Sequence, residues 1–291
     1  MKPRHRAGRQ SDTNESTERF QHKKSLGQNF LTSAIVPGWL VAAGEVTADD
    51  TILEIGPGTG ALTRALLATG ARVIAVEADV RVITILETEF TEEIASSKLM
   101  LHHGDARELN MSILGLVDHS FKVVANIPYY LSGYLLRTLL EGPVQPTTLV
   151  FLMQKEVVER IARDPKESLL SLSVKVFGIP RYLKTVGRGH FNPVPKVDSA
   201  ILQVSHINRT HFTDLDEMAI FFNLLHLGFG QKRKQLLSNL SHQYDRRYLQ
   251  DLFQKNNLLL DVRAEVVPLE KWLILFKDLS TYPQRFPQPI I

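Results

Sequence analysis

Thr51-Ile-Leu-Glu-Ile-Gly-Pro-Gly-Thr-Gly-Ala61 decides how the rest of the chain is read. Its first five residues are short, β-branched and apolar apart from Glu54, as in a strand buried within a parallel sheet. Gly56, Gly58 and Gly60 interrupt the run, and residues 61–68 have helical character. A strand that enters a glycine-rich turn and then a helix makes a ligand cradle. Glycine lets the backbone pass close to a ligand, and the start of a helix offers unpaired N–H groups.

The glycines alone leave two ligand classes open. Gly56-x-Gly58-x-x-Ala61 fits a dinucleotide fingerprint, with Glu77 where an acid would meet a ribose. The same turn also suits an S-adenosylmethionine (SAM) methyltransferase. Composition narrows the field. A chain of 291 residues holds one large domain or two, and 44% hydrophobic with 22% charged residues describes a globular protein. The absence of cysteine excludes disulfides, cysteine-ligated metal and thiol catalysis, and no metal site is expected. It fits a reducing compartment, so a cytoplasmic location is expected. No apolar run is long enough to span a membrane. With a net charge of only +3, where the charge lies matters more than its total.

Residues 1–21 are polar, with Lys2, Arg4, Arg6 and Arg9 ahead of Asp12, Glu15 and Glu18, and read as a disordered basic tail. Strands are expected at 72–76, 99–102, 121–125 and 148–153, with a helix at 80–90. Strands alternating with helices imply a parallel sheet with right-handed crossovers. Ligands bind beyond the carboxyl ends of such strands. Glu54, Gly56, Gly58, Glu77, Asp105 and Asn126 all fall at or near those ends. Glu77 is placed to accept both ribose hydroxyls, and Asp105 to accept an adenine amino group.

Asn126-Ile-Pro-Tyr-Tyr-Leu-Ser132 carries the chemistry. An exocyclic base amine is a poor nucleophile, because its lone pair is delocalised into the ring. Methylating it requires acceptors that take its hydrogens and turn the lone pair toward the methyl donor. The Asn126 side-chain oxygen and a backbone carbonyl at Ile127 or Pro128 suit that task. Tyr129 offers a surface for stacking a base, worth roughly 1–3 kcal/mol.

Over residues 23–279 these segments resemble the KsgA-type family of rRNA adenine N6,N6-dimethyltransferases. Lys24-Ser-Leu-Gly-Gln-Asn-Phe-Leu31 is similar to the family's SAM-covering motif, Glu54 to Thr63 to its glycine loop, and Asn126-Ile-Pro-Tyr129 to its catalytic signature. Phe191-x-Pro193-x-Pro195-Lys-Val-Asp-Ser-Ala200 is similar to its target-base loop. The resemblance implies an α/β fold: a Rossmann-like SAM-dependent sheet of seven strands, the last antiparallel, with a small all-α C-terminal domain. It implies SAM contacts from Gln28, Asn29, Leu31, Glu54, Gly56, Gly58, Glu77, Asp105, Ala106 and Asn126. Asn126, Ile127, Pro128 and Tyr129 would form the catalytic group, with Phe191 as a second stacking aromatic.

The expected organisation is therefore a tail at 1–21, a catalytic domain at 22–206, a helical domain at 207–280 and a second tail at 281–291. Helices are expected at 215–227, 235–240, 248–253 and 269–276. Lys23, Lys24, Lys196, Lys232, Arg233, Lys234, Arg246 and Arg247 are expected RNA contacts, a grouping that suits phosphates more than base edges. Tyr130 and the segment Gln231-Lys-Arg-Lys-Gln235 depart from the family's usual wording. The activity implied is SAM-dependent dimethylation of two adjacent adenines near the 3′ end of small-subunit (16S) rRNA, by a monomer acting on the small ribosomal subunit. The alternatives are a large-subunit methyltransferase of the macrolide-resistance type and a non-catalytic assembly or transcription factor on the same fold.

Overall fold

β-Branched and aliphatic residues in the strands alternate in direction, and each strand contributes to two apolar layers. Ile52, Val73, Ala75, Val124, Val150, Leu152 and Ile201 join one buried cluster; Leu53, Ile55, Ile74, Val76, Val123, Leu149 and Phe151 join another. This is period-two alternation in strands covered on both faces. The structure is a computed structural model and describes residues 29–282. The tail expected at 1–21 and the roles expected of Lys23, Lys24 and Gln28 lie outside the described residues, as do residues 283–291.

The chain runs β1 (Phe30–Leu31), α1 (Ile35–Ala43), β2 (Thr51–Ile55), α2 (Ala61–Leu67), β3 (Arg72–Glu77), α3 (Val80–Glu89), α4 (Thr91–Ala95) and β4 (Leu99–His103). It continues through β5 (Lys122–Asn126), α5 (Ser132–Glu141), β6 (Thr148–Gln154), α6 (Lys155–Ala162), α7 (Leu169–Lys175), β7 (Ile179–Val186), β8 (Phe191–Asn192) and β9 (Ser199–Ser205). Four helices follow: α8 (Leu215–Phe229), α9 (Leu236–Leu240), α10 (Arg246–Lys255) and α11 (Leu269–Ser280).

The main sheet has seven strands in the order β4-β3-β2-β5-β6-β9-β7. The ladders from β4 to β6 are parallel, while β9 runs antiparallel to both β6 and β7. The expected antiparallel last strand is therefore present, inserted beside the edge rather than at it. The edge is β7, which has no counterpart among the strands read from the residues. Its sequence IPRYLKTV mixes proline, charge and apolar residues, and its register shifts between Tyr182 and Lys184. Irregular, charged edge strands lack the alternation that identifies buried ones. A second, two-stranded ribbon pairs β1 with β8, Phe30 opposite Asn192 and Leu31 opposite Phe191.

The boundary expected near His206 follows the end of β9. The two parts nevertheless share one apolar core, because the cluster containing Leu53 and Phe151 extends to Phe221, Phe253, Trp272 and Phe276. Phe177 ahead of β7 meets Phe212 at 5.9 Å, and Phe212 meets Phe221 at 5.3 Å between ring centroids. Tyr282, assigned above to a tail, is packed instead. The Tyr282 ring stacks on Tyr248 with centroids 4.3 Å apart.

Candidate active site

The carboxyl ends of β2 to β5 open on one cavity. Gly56 and Gly58 after β2, Glu77 ending β3, Gly104, Asp105 and Ala106 after β4, and Asn126 to Tyr129 leaving β5 all line it, with Asn29 and Phe30 on the remaining side. The convergence follows from parallel strands of matched register, since Glu54 pairs with Ala75 and Asn126 with Leu152.

Gly58 has a φ of +55°, a conformation that disfavours any side chain. A Cβ there would also lie 2.7 Å from the Phe30 ring. Glycine thus lets Phe30 close over the turn. At Gly56 the same position faces open space, so the backbone itself forms the cavity floor.

Glu77 is 4% exposed. Its Oε1 accepts the Ala78 and Asp79 N–H groups at 2.9 and 3.0 Å, and Oε2 accepts that of Gly58 at 3.4 Å. Burial raises its pKa, and the backbone donors oppose that rise. A carboxylate has about four acceptor positions. The three backbone donors leave the weakly bonded Oε2 side for a ligand, less than two full ribose hydroxyl contacts on separate oxygens would need.

Asp105 is held by a residue that the sequence reading missed. The Arg107 guanidinium donates through Nε at 3.0 Å to Oδ1 and through Nη2 at 2.6 Å to Oδ2, and the Arg107 N–H donates to Oδ1 at 2.8 Å. These bonds keep the Asp105 carboxyl below its ordinary pKa. Tyr134 of α5 donates its hydroxyl to the Arg107 carbonyl at 2.5 Å, fixing the turn from outside. An i, i+2 charge pair after a strand carries no periodic signal, which is why Arg107 was not identified.

Asn126 donates through Nδ2 to the Asn29 carbonyl at 3.1 Å. A carbonyl partner fixes the amide orientation, so Oδ1 is the end left to accept. The Pro128 carbonyl accepts the Leu131 N–H at 3.0 Å, which leaves Ile127 as the better second acceptor. The Tyr129 hydroxyl lies 2.8 Å from Ser199 Oγ at the start of β9. That bond tethers the ring from its polar end, and burial raises the phenol pKa. Tyr130, the departure noted above, is 61% exposed at the cavity mouth.

Glu54 and Leu31 line a small recess that shares Phe30, Gly56, Gly58 and Asn126 with the cavity, and Phe191 lines neither. Glu54 is 1% exposed, and its Oε2 accepts the Thr63 hydroxyl at 2.7 Å beneath the glycine turn. Leu31 is buried in the core layer under α1. In a two-residue strand neighbouring side chains face opposite ways, so Phe30 lines the main cavity while Leu31 reaches only the adjoining recess. Phe191, expected as a stacking surface, is 2% exposed in that same core layer, opposite Leu31. Its ring is committed to packing.

Lys196 is exposed. Lys232, Arg233 and Lys234 are exposed in the turn before α9, and Arg246 and Arg247 in the first turn of α10. These positions are outside the cavity.

The model of the ribosomal RNA adenine dimethylase family matches residues 19–281. The chain is 36% identical over 264 residues to the ribosomal RNA small subunit methyltransferase A of Dehalococcoides mccartyi (strain CBDB1), covering 90% of this chain and 89% of that protein. It is similar to the crystal structure of a dimethyladenosine transferase from Plasmodium falciparum, with a TM-score of 0.74, 26% identity, and coverage of 86% of this chain and 97% of that one. A crystal structure of the 23S rRNA methyltransferase ErmE has a TM-score of 0.70 at 24% identity, covering 87% of this chain and 100% of that one, and so shares the fold.

Burial drives the Glu54 pKa up to about 8 from 4.5, and the nearby Glu77 charge adds to the rise. Between those two pH values the folded protein holds a proton that the unfolded chain has released, so stability falls as pH rises. Glu54→Gln keeps an acceptor for Thr63 and removes the titration. Its unfolding free energy relative to wild type should rise from pH 5 to pH 8.5 by on the order of a few kcal/mol. Denaturant unfolding at both pH values checks this, and a difference independent of pH would refute the buried-acid account.

Proposed function

Because the chain belongs to the ribosomal RNA adenine dimethylase family, we propose that it dimethylates two adjacent adenines near the 3′ end of 16S rRNA in the small ribosomal subunit. The observation that carries this reading is the pair of oriented acceptors at the end of β5, beside a cavity fitted for SAM.

The cavity suits that cofactor. Glu77 presents its Oε2 side to a ribose, the ionised Asp105 to an adenine amino group, and Gly56 gives a floor with no side chain. SAM, the methyl donor of this family, supplies an electrophilic methyl group when bound. The protein's part is orientation. The Asn126 Oδ1 and the Ile127 carbonyl accept the two hydrogens of the target amine, which points its lone pair away from the ring plane. Tyr129 stacks on the base while its hydroxyl stays anchored to Ser199. No strong base is required, since the amine nitrogen becomes acidic only once it is methylated. Holding reactants in line carries much of the rate.

A monomer in the cytoplasm is the expected working form. No helix among the described residues is long and apolar enough to cross a membrane. Lys232, Arg233, Lys234, Arg246 and Arg247 form the expected phosphate-binding surface of the helical part, and Lys196, in the loop before β9, a further contact. The buried position of Phe191 leaves Tyr129 as the stacking aromatic.

Labelled methyl transfer from SAM to unmodified small subunits, with large subunits in parallel, tests the substrate. Mass spectrometry of the product nucleosides should find dimethyladenosine in 16S rRNA only; label in large-subunit RNA would mark a resistance-type enzyme. Replacing Lys232, Arg233 and Lys234 together by alanine should flatten the salt dependence of subunit binding, by about 0.9 in the log–log slope for each phosphate that is no longer neutralised. An unchanged slope would move the phosphate-binding surface elsewhere.

A further inference from the structure

A second basic surface lies on the catalytic part, away from the helical cluster. The segment 179–197 contains Arg181, Lys184, Arg188 and Lys196, with His190, and no acidic residue. Residues 29–44, which form β1 and α1 beside it, carry no charged residue at all. The acid that follows, Asp198, accepts the Arg188 N–H at 3.0 Å. Among the described residues Arg181, Lys184 and Arg188 are exposed, and none of them enters an ion pair.

Arg181 and Lys184 share one side of the sheet. Arg181 is opposite Gln203 and Lys184 opposite Ile201 in the β7–β9 ladder. Directly opposed residues face the same way. Ile201 belongs to the layer under α1, and Gln203 donates to the Ala43 carbonyl at the end of α1. Lys184 Nζ is 4.1 Å from the ring centroid of Trp39 in α1, and His190 meets the same indole edge-on at 6.0 Å. The indole therefore holds the Lys184 ammonium and the His190 ring side by side, which lowers the entropy lost when they engage an anion.

The surface adjoins the reaction centre. Val186, two residues after Lys184, is opposite Ser199, whose hydroxyl anchors Tyr129. At about 3.3 Å per residue, Lys184 is roughly 7 Å along the strand from that anchor, and Arg181 about 10 Å further. The His190 carbonyl also accepts the Thr32 N–H, next to the ribbon that carries Phe30 into the cavity.

We propose that Lys184 and His190, held on Trp39, together with Arg181 on the same side of the sheet, form a docking strip for the phosphate backbone of the RNA that flanks the methylated adenine. The inference rests on the rRNA reading above. Lysine on an edge strand also serves to block strand-to-strand aggregation. Lys184 differs in folding back over α1, onto the same indole that His190 meets.

The test is equilibrium binding of the full chain to unmodified small subunits between about 50 and 200 mM salt, with SAM affinity measured separately. Arg181→Ala/Lys184→Ala should leave SAM affinity within about twofold. The slope of log affinity against log salt should fall by about 1.8, so the gap between wild type and variant changes about tenfold over that range. Lys184→Arg should retain the wild-type slope, and Trp39→Leu should reduce it in part. An unchanged slope overturns the strip. So does a loss of affinity equal at every salt concentration, which would mean docking on a ribosomal protein rather than phosphate. A variant that aggregates while its soluble fraction binds with the wild-type slope would reduce these residues to edge protection. Wild-type protein that transfers methyl groups only to large subunits would remove the small-subunit reading and leave the strip to be measured on that RNA by the same slopes.

Discussion

The hydrogen bond from Asn126 Nδ2 to the Asn29 carbonyl sets the geometry on which the rest of the cavity depends. It joins residues 97 positions apart, the end of β5 and the start of β1. It fixes which end of the Asn126 amide accepts, and it places the β1 backbone so that Phe30 lies over Gly58. Without that glycine the aromatic ring would be displaced, and without the Asn29 carbonyl the amide would have no reason to present its oxygen. Strand end, glycine turn and covering segment are thus mutually constraining, which is how a polar reactive group is kept in one orientation at low reorganisation cost.

Two acids at neighbouring strand ends are driven to different tasks. Glu54 has one side-chain hydroxyl as a partner and is fully buried, and its pKa of about 8 keeps it largely neutral at pH 7. Glu77 has three backbone donors and an opening to the cavity, so burial is opposed there by hydrogen bonds that favour the charged form. A neutral Glu54 beneath the turn removes a close like charge from beside Glu77. The carboxylate at Asp105 is maintained differently, by the guanidinium of Arg107 at the surface.

Much of this was legible in the sequence where chemistry and burial coincide. The β2 strand, the glycine turn, Glu77, Asp105 and Asn126 could be placed because buried parallel strands are continuous apolar runs and polar residues at their ends stand out. The reading failed where a residue's direction, rather than its type, decides its role. Leu31 and Phe30 are adjacent and both apolar, and only the pairing of β1 with β8 shows which faces the cavity. Phe191 has the right chemistry for stacking, yet that same ribbon turns it into the core. Arg107 and Trp39 act through partners distant in the fold or off any regular period. The β7 edge was missed because an edge strand is selected against the regularity that makes strands recognisable.

Asn126→Ala measures the central claim most directly, with SAM affinity by calorimetry and single-turnover methyl transfer to small subunits read side by side. The account predicts weaker SAM binding, because the bond that seats the β1 segment is lost, and, at saturating SAM, a methyl-transfer rate lower by at least about 100-fold, as for loss of one oriented polar group in a transition state. A near-normal rate at saturating SAM would contradict it and place the acceptor of the amine hydrogens elsewhere in the cavity.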